Sequence, residues 1–194
     1  GGMGEKNFNK LCSFNLNKYL VLSDPNKNEF SHNVMLQALR NTDDRIKNDQ
    51  SVTPGFLLAA LLWPTLISRC TKNNEINIRK FFRSMDGVLR EQQKLTAVPR
   101  KFNSYIKDIW VLQLKLHSRI KSQPYKTIRH PRFRAAYDFL LVREKASSDK
   151  NGLGKWWTDF QKNDDSLRGS LIARMNEKND IDSSKIFGFY NELR

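Results

Sequence analysis

Two carboxylates one residue apart, Asp180 and Asp182, follow a glycine–serine pair, Gly169 and Ser170, with nine residues between Ser170 and Asp180. In a G-S…D-x-D spacing of this kind, two strand-borne carboxylates hold two magnesium ions for phosphoryl transfer. The flanks argue against that chemistry here. Arg168 and Ser183 are polar where buried strand residues are needed, and little chain follows to build a sheet; short motifs match by chance without such a context. The other carboxylate pairs, Asp43/Asp44 and Asp164/Asp165, are adjacent, so on a helix they point in different directions. Solvation or capping explains them better than acid–base work. His32, His117 and His130 are not spaced for a metal, and no Ser/His/Asp or Cys/His arrangement has a supporting context. His130, just before Pro131, reads as a helix cap. Cys12 and Cys70 lie far apart and outside C-x-x-C spacing, which excludes a disulfide framework or structural zinc and fits a reducing cytoplasm. Neither a G-x-G-x-x-G nor a P-loop pattern is present, so no self-contained phosphate cradle is encoded.

The residues that carry a positive signal are cations. The 194 residues hold 34 Lys and Arg against 20 Asp and Glu, a net charge of +14. Residues 51–100 carry eight basic groups against three acidic, and 101–146 carry eleven against three, so +13 of the +14 falls in 51–146, the most hydrophobic part of the chain. A folded basic module is implied rather than a basic tail. Its field attracts polyanions: nucleic acid first, with an anionic membrane surface and an acidic protein partner as competing readings. Arg79, Arg83, Arg90 and Lys94 fall within about 60° on one side of a helix with only Asp86 at their margin. Arg132 and Arg143 share a second edge, and the polar edge of the helix after Pro99 carries Lys101, Asp108, Lys115 and Arg119. Arg100 and Lys101 stand at a helix start, where the dipole disfavours cations. A line of cations on a helix is ordinarily a solvated face. Together these residues are expected to form an extended surface that contacts phosphates without reading sequence and loses affinity steeply with salt. Tyr105, Trp110 and Tyr137 are candidates for stacking single-stranded bases, although at helical spacing each is more often core.

Apolar residues recur with a helical period almost everywhere and a strand period almost nowhere, which predicts an all-α chain with an irregular multi-helix body. A short helix from Ser31 to about Arg40 buries Val34, Met35, Ala38 and Leu39, and Asn41, Thr42, Asp43 and Asp44 read as its stop and the cap of a new helix. Thr53 followed by Pro54 is a strong helix start. Gly55 to Trp63 is apolar all round, so that helix is central, and Pro64 should kink it. Further helices are expected from about Asn77 to Thr96, from Pro99 to about Ile120, from Pro124, and from Pro131 to about Lys145. Ser147 to Gly154 reads as a linker. A short helix at 155–161 carries Trp156, Trp157 and Phe160 and should dock on the body; beyond Lys162 the chain reads as a loosely attached charged tail. The expected organisation is a poorly ordered segment 1–30, a helical body 31–146, and a linker, short helix and tail over 147–194. The longest apolar run, Phe56 to Trp63, is far short of the roughly 20 residues a membrane span needs, and no signal peptide is visible.

Several segments carry a family resemblance: L-R-N-T-D-D-R-I (Leu39 to Ile46), T-P-G-F-L-L-A-A-L-L-W-P (Thr53 to Pro64), V-P-R-K-F (Val98 to Phe102), I-K-D-I-W-V-L-Q-L (Ile106 to Leu114), H-P-R-F-R-A-A-Y-D-F-L-L-V-R (His130 to Arg143) and W-W-T-D-F-Q (Trp156 to Gln161). In this order they closely resemble the C-terminal half of the bacterial poly(A) polymerases, relatives of the CCA-adding enzymes in the class II nucleotidyltransferase superfamily. The resemblance covers about residues 31–161 and implies a helical neck, body and leg that holds an RNA 3′ region while a head adds adenylates in mRNA processing and decay. ATP and Mg²⁺ are implied for the full-length parent, with no cofactor expected in this chain. The family's catalytic head, with its G-S and D-x-D carboxylates, lies N-terminal to everything matched, and residues 1–30 do not match it, so no head sheet is expected and no catalytic residue is carried over. Gly169/Ser170 and Asp180/Asp182 lie at the wrong end of the chain. The family's arginine-rich C-terminal extension is not evident, since 147–194 holds eight basic and eight acidic groups. Gly1 and Gly2 ahead of Met3 suggest a fragment or truncated product beginning near Met3. The resemblance thus implies a cytoplasmic RNA-holding region that polymerises nothing by itself; a helical RNA-binding or protein-interaction module acting alone is the alternative.

Overall fold

A computed structural model describes residues 29–72, 75–96, 98–147 and 152–179. Among them the chain is all-α, as expected: eight helices, α1 (Glu29–Lys47), α2 (Pro54–Cys70), α3 (Ile78–Leu95), α4 (Lys101–Leu116), α5 (Gln123–Ile128), α6 (Phe133–Ser147), α7 (Leu153–Lys162) and α8 (Asp165–Asn179). The one strand pairing among the described residues is a two-residue antiparallel pair, Thr71–Lys72 with Glu75–Ile76, between α2 and α3.

The apolar all-round helix α2 is indeed central. It packs against α1, α3, α4 and α6, and runs as helix through the buried Pro64 to Cys70. Around it one core cluster gathers Val34 and Ala38 of α1, Phe81, Met85 and Val88 of α3, Ile106 and Trp110 of α4, and Phe139 of α6. Edge-to-face rings organise it: Phe139 meets Trp63 at 5.6 Å and Phe56 at 6.3 Å, and Trp63 meets Phe81 at 6.2 Å, the geometry favoured by the ring quadrupole. A second cluster joins Leu112 and Leu116 of α4 to Phe133, Tyr137 and Leu140 of α6 and to Trp156, Trp157 and Phe160 of α7. The short Trp-bearing helix therefore docks as expected. Trp157 donates its indole N–H to the Leu116 carbonyl at 2.8 Å, satisfying one of the carbonyls that the last turn of α4 leaves unbonded. Gly154 gives α7 its close approach to α6: a Cβ there would meet Leu141 Cδ2 at 2.6 Å and the Glu144 carboxylate, and its N–H donates to Glu144 Oε1 at 2.8 Å.

Four element readings need correction. The polar cluster Asn41 to Asp44 does not stop α1, which continues to Lys47. Thr42 is buried and returns its hydroxyl to the Ala38 carbonyl at 2.9 Å, so it bonds within the helix instead of capping a new one. Helix α4 starts two residues after Pro99 and ends at Leu116, four residues before Ile120; Arg119 therefore lies off the helix. Pro131 precedes α6 by a turn; His130 Nδ1 accepts from the Arg132 N–H at 3.1 Å within that turn, one residue ahead of the helix, so the side chain closes the turn and does not cap a helical N–H. The region beyond Lys162 forms α8 up to Asn179, held by the buried Ile172 and by Arg168, whose Nε donates to the Phe160 carbonyl at 2.8 Å. Residues 1–28 and Asp180 to Arg194 lie outside the described residues, and with them Cys12, Asp180 and Asp182.

Candidate nucleic-acid interface

Helix α3 separates its faces as its sequence requires. Asn77 caps it by accepting from the Lys80 N–H at 2.9 Å. Ile78, Phe81, Met85, Val88 and Leu89 are buried, whereas Arg79, Arg83, Arg90 and Lys94 are exposed along the other side. The helix has two acids, and both reach neighbouring helices. Asp86 pairs with Lys107 of α4, and Glu91 takes both guanidinium nitrogens of Arg69 of α2 at 2.9 and 2.7 Å. That bidentate bond holds the Glu91 carboxyl below its ordinary range and Arg69 above its own. Arg69 carries no mark of this role in the sequence, because nothing along the chain reveals a partner 22 residues away.

The remaining candidates divide. Arg100, at the start of α4, is exposed with no side-chain capping bond, and Lys101 lies 5.4 Å from the Phe102 ring centre. Lys115 is half-buried. Arg119 and Arg143 turn inward. Arg119 stacks 5.9 Å from the Trp156 ring centre, and burial pulls its pKa down. Arg143 sits 4.7 Å from the Trp63 ring centre and donates to Gln113 Oε1 at 2.9 Å. Gln113 is itself 1% exposed and donates to the Ala136 carbonyl at 2.9 Å, tying α4 to α6. The two arginines expected to share an edge thus diverge: Arg132 is exposed, 4.8 Å from the Tyr105 ring centre. Of the stacking candidates, Trp110 is fully buried with its indole N–H on the Ala59 carbonyl at 2.9 Å. Tyr137 is buried with its hydroxyl on Thr158 at 2.6 Å. Both are core, and only Tyr105 is half-exposed.

Tyr105 and Arg132 border a cavity of about 270 Å³ that also takes in Arg45, Thr53, Arg134 and Asp138. Arg45 donates to the Ser51 carbonyl at 3.1 Å and lies 4.0 Å from Asp138, while Arg134 pairs with Asp138 at 3.1 Å. Burial raises the Asp138 pKa, and the two arginines offset that only in part. Periodicity and charge counting do not reach Arg45, Arg134 and Asp138, although they lie within the L-R-N-T-D-D-R-I and H-P-R-F-R-A-A-Y-D segments; their signal is the motif itself. Gly169 and Ser170 lie on α8, both exposed, not on a strand. Among the described residues no cluster of three or more His, Cys, Asp or Glu could hold a metal, and no helix is long and apolar enough to cross a membrane.

A family model described as the polymerase A arginine-rich C-terminus matches residues 73–185. The match starts ahead of α3 and takes in nine arginines between Arg79 and Arg143, whereas 147–194 holds only Arg168, Arg174 and Arg194. The chain is 33% identical over 171 residues to poly(A) polymerase I of Escherichia coli O157:H7, covering 82% of this chain and 37% of the relative. It is 34% identical over 134 residues to poly(A) polymerase I of Salmonella typhimurium, covering 66% and 29%. To that of Haemophilus influenzae it is 31% identical over 181 residues, covering 88% and 40%. The chain thus spans 29 to 40% of the length of these relatives.

Proposed function

Because the chain belongs to the family described as the polymerase A arginine-rich C-terminus, we propose that it holds the single-stranded 3′ region of an RNA for template-independent adenylate addition. The whole protein would be an RNA adenylyltransferase using ATP and Mg²⁺, acting in bacterial mRNA processing and decay in the cytoplasm. The observation that carries this reading is the exposed row Arg79, Arg83, Arg90 and Lys94 on α3, with its apolar face fixed in the core. A rigid helix presents these cations at fixed spacing, so phosphates are met without reordering the protein and without reading bases. Arg100 and Lys101 extend the basic surface at the start of the next helix. Arg119 and Arg143 are half-buried, with their guanidiniums over tryptophan rings.

The test is the salt dependence of oligo(A) binding to the chain and to a variant with Arg79, Arg83 and Arg90 all changed to Glu. Each phosphate neutralised by a cation contributes about 0.7 to the slope of log affinity against log salt for single strands, so removing three such cations flattens it by roughly 2. Affinity at low salt should fall with it. An unchanged slope would make the row a solvated face and leave the helical interaction module as the better reading.

A further inference from the structure

The cavity bordered by Tyr105 and Arg132 is lined by no residue of the α3 row. It forms where the end of α1, the start of α2, the first turns of α4 and the start of α6 meet. Its rim is cationic, with Arg45, Arg132 and Arg134 against the single carboxylate of Asp138, and α2 opens beside it with no acid in its first turn. A helix N-terminus and three guanidiniums both favour a bound anion.

The three arginines are not equivalent. Arg45 and Arg134 converge on Asp138, whose side chain is 20% exposed, and so fix a carboxylate at the cavity wall. Arg132 lies over the Tyr105 ring at 4.8 Å, and its backbone N–H is pinned by His130. One face of its guanidinium is thereby taken by tyrosine. The other face, on an exposed side chain, is a platform of the kind on which RNA bases stack. Tyr105 is placed closely in turn: a Cβ on Gly55 would meet its ring at 2.8 Å, so α2 brings bare backbone against the tyrosine. The volume lies just under the roughly 300 to 1,000 Å³ of clefts that take drug-sized ligands, which suits one nucleotide.

The geometry points to a nucleotide-binding pocket in which one unstacked RNA residue lays its base on the Arg132–Tyr105 pair and gives its exocyclic amino group to Asp138, with its phosphate toward the N-terminus of α2. This rests on the RNA-holding reading above and adds to it a preference for adenine and cytosine, whose amino group stands at the 6- or 4-position, over uracil, which has a carbonyl there. A uracil would turn its O4 carbonyl, an acceptor, toward the Asp138 carboxylate in place of an amino donor, and two acceptors facing each other repel.

Binding of free 5′-AMP and 5′-UMP to the chain, followed by calorimetry at millimolar ligand, tests the pocket apart from the α3 row. The chain should bind AMP saturably and UMP roughly tenfold more weakly. Arg132→Lys, which keeps the charge and removes the planar stack, should weaken AMP roughly tenfold, the scale of one base stack. Arg132→Gln should do at least as much with an unchanged Tm, since Arg132 is exposed. The Arg79, Arg83 and Arg90 triple variant should bind AMP as the parent chain does. Absence of saturable AMP binding, equal affinity for UMP, or full affinity in Arg132→Lys overturns the pocket, whatever the RNA salt slope. AMP binding with an RNA slope indifferent to the triple variant overturns the α3 interface and leaves the pocket standing.

Discussion

Trp156 and Trp157 are chemically identical neighbours, yet the structure predicts different penalties for replacing each with phenylalanine. Trp157 is 0% exposed and its indole N–H closes on the Leu116 carbonyl at 2.8 Å. Phenylalanine there leaves a buried carbonyl at the end of α4 without its donor, which costs about 1–3 kcal/mol. The missing ring atoms add about 1–2 kcal/mol of transfer and cavity free energy. A total near 3 kcal/mol is a large part of the 5–15 kcal/mol that holds a typical protein. For a chain of this size it lowers Tm by about 6–12 °C, at roughly 2–4 °C per kcal/mol. Trp156 is 6% exposed, stacks on Phe160 at 4.9 Å, and its indole nitrogen meets no acceptor among the described residues. Phenylalanine keeps that stack and relieves the nitrogen, so its cost should be about 1 kcal/mol. The assay is urea unfolding of the two single variants beside the parent, with m-values compared to confirm that the same surface is exposed. Equal penalties, or a larger one for Trp156→Phe, would refute the argument that the indole–carbonyl bond anchors α7.

Gly154→Ala should destabilise by about 1–2 kcal/mol despite alanine's better helix propensity, because its Cβ enters space held by Leu141 and the Glu144 carboxylate; thermal melts measure it. Asp138→Asn should leave stability unchanged or raised at neutral pH, despite the loss of two ion pairs. Burial raises the Asp138 pKa, so the stability linked to this group is full below the ordinary carboxylate value and lost as pH rises through the raised one. Melts of variant and parent should therefore converge as pH falls below the carboxylate range; a variant less stable at neutral pH would show the ion pairs outweighing burial. Incubated with ATP, Mg²⁺ and an RNA primer, the 194 residues should extend nothing, since Gly169 and Ser170 sit on an exposed helix. Primer extension would revive Asp180 and Asp182 as metal ligands.

The faces of α3 were legible because their buried and exposed residues repeat at 3.6 and its cap lies immediately before it. The start of α2 was legible from Thr53 and Pro54 for the same local reason. Thr42 misled because Asn, Thr and Asp at a helix stop look the same as a threonine turned back on its own helix. Helix α8 escaped notice because Arg168 does much of its anchoring, through carbonyls at the end of α7 that no periodicity displays. Arg119 and Arg143 occupy positions that suit a solvated cation equally well; only the approach of Trp156 and Trp63 from other helices half-buries them. The cavity draws on residues from 41 to 138, a grouping that only the packed chain creates.

Helices α4 and α6 supply residues to both core clusters, and Gln113 stitches the pair together. No surface can therefore open between the two halves without dismantling the same two helices. Their backbone amides should resist exchange with solvent deuterium at the level of global unfolding, while α7 and α8 release theirs through smaller, separate openings. The arginine row of α3 and the Tyr105 pocket are attached to that slow-exchanging frame, so tension on a bound strand would be borne by the most durable part of the molecule.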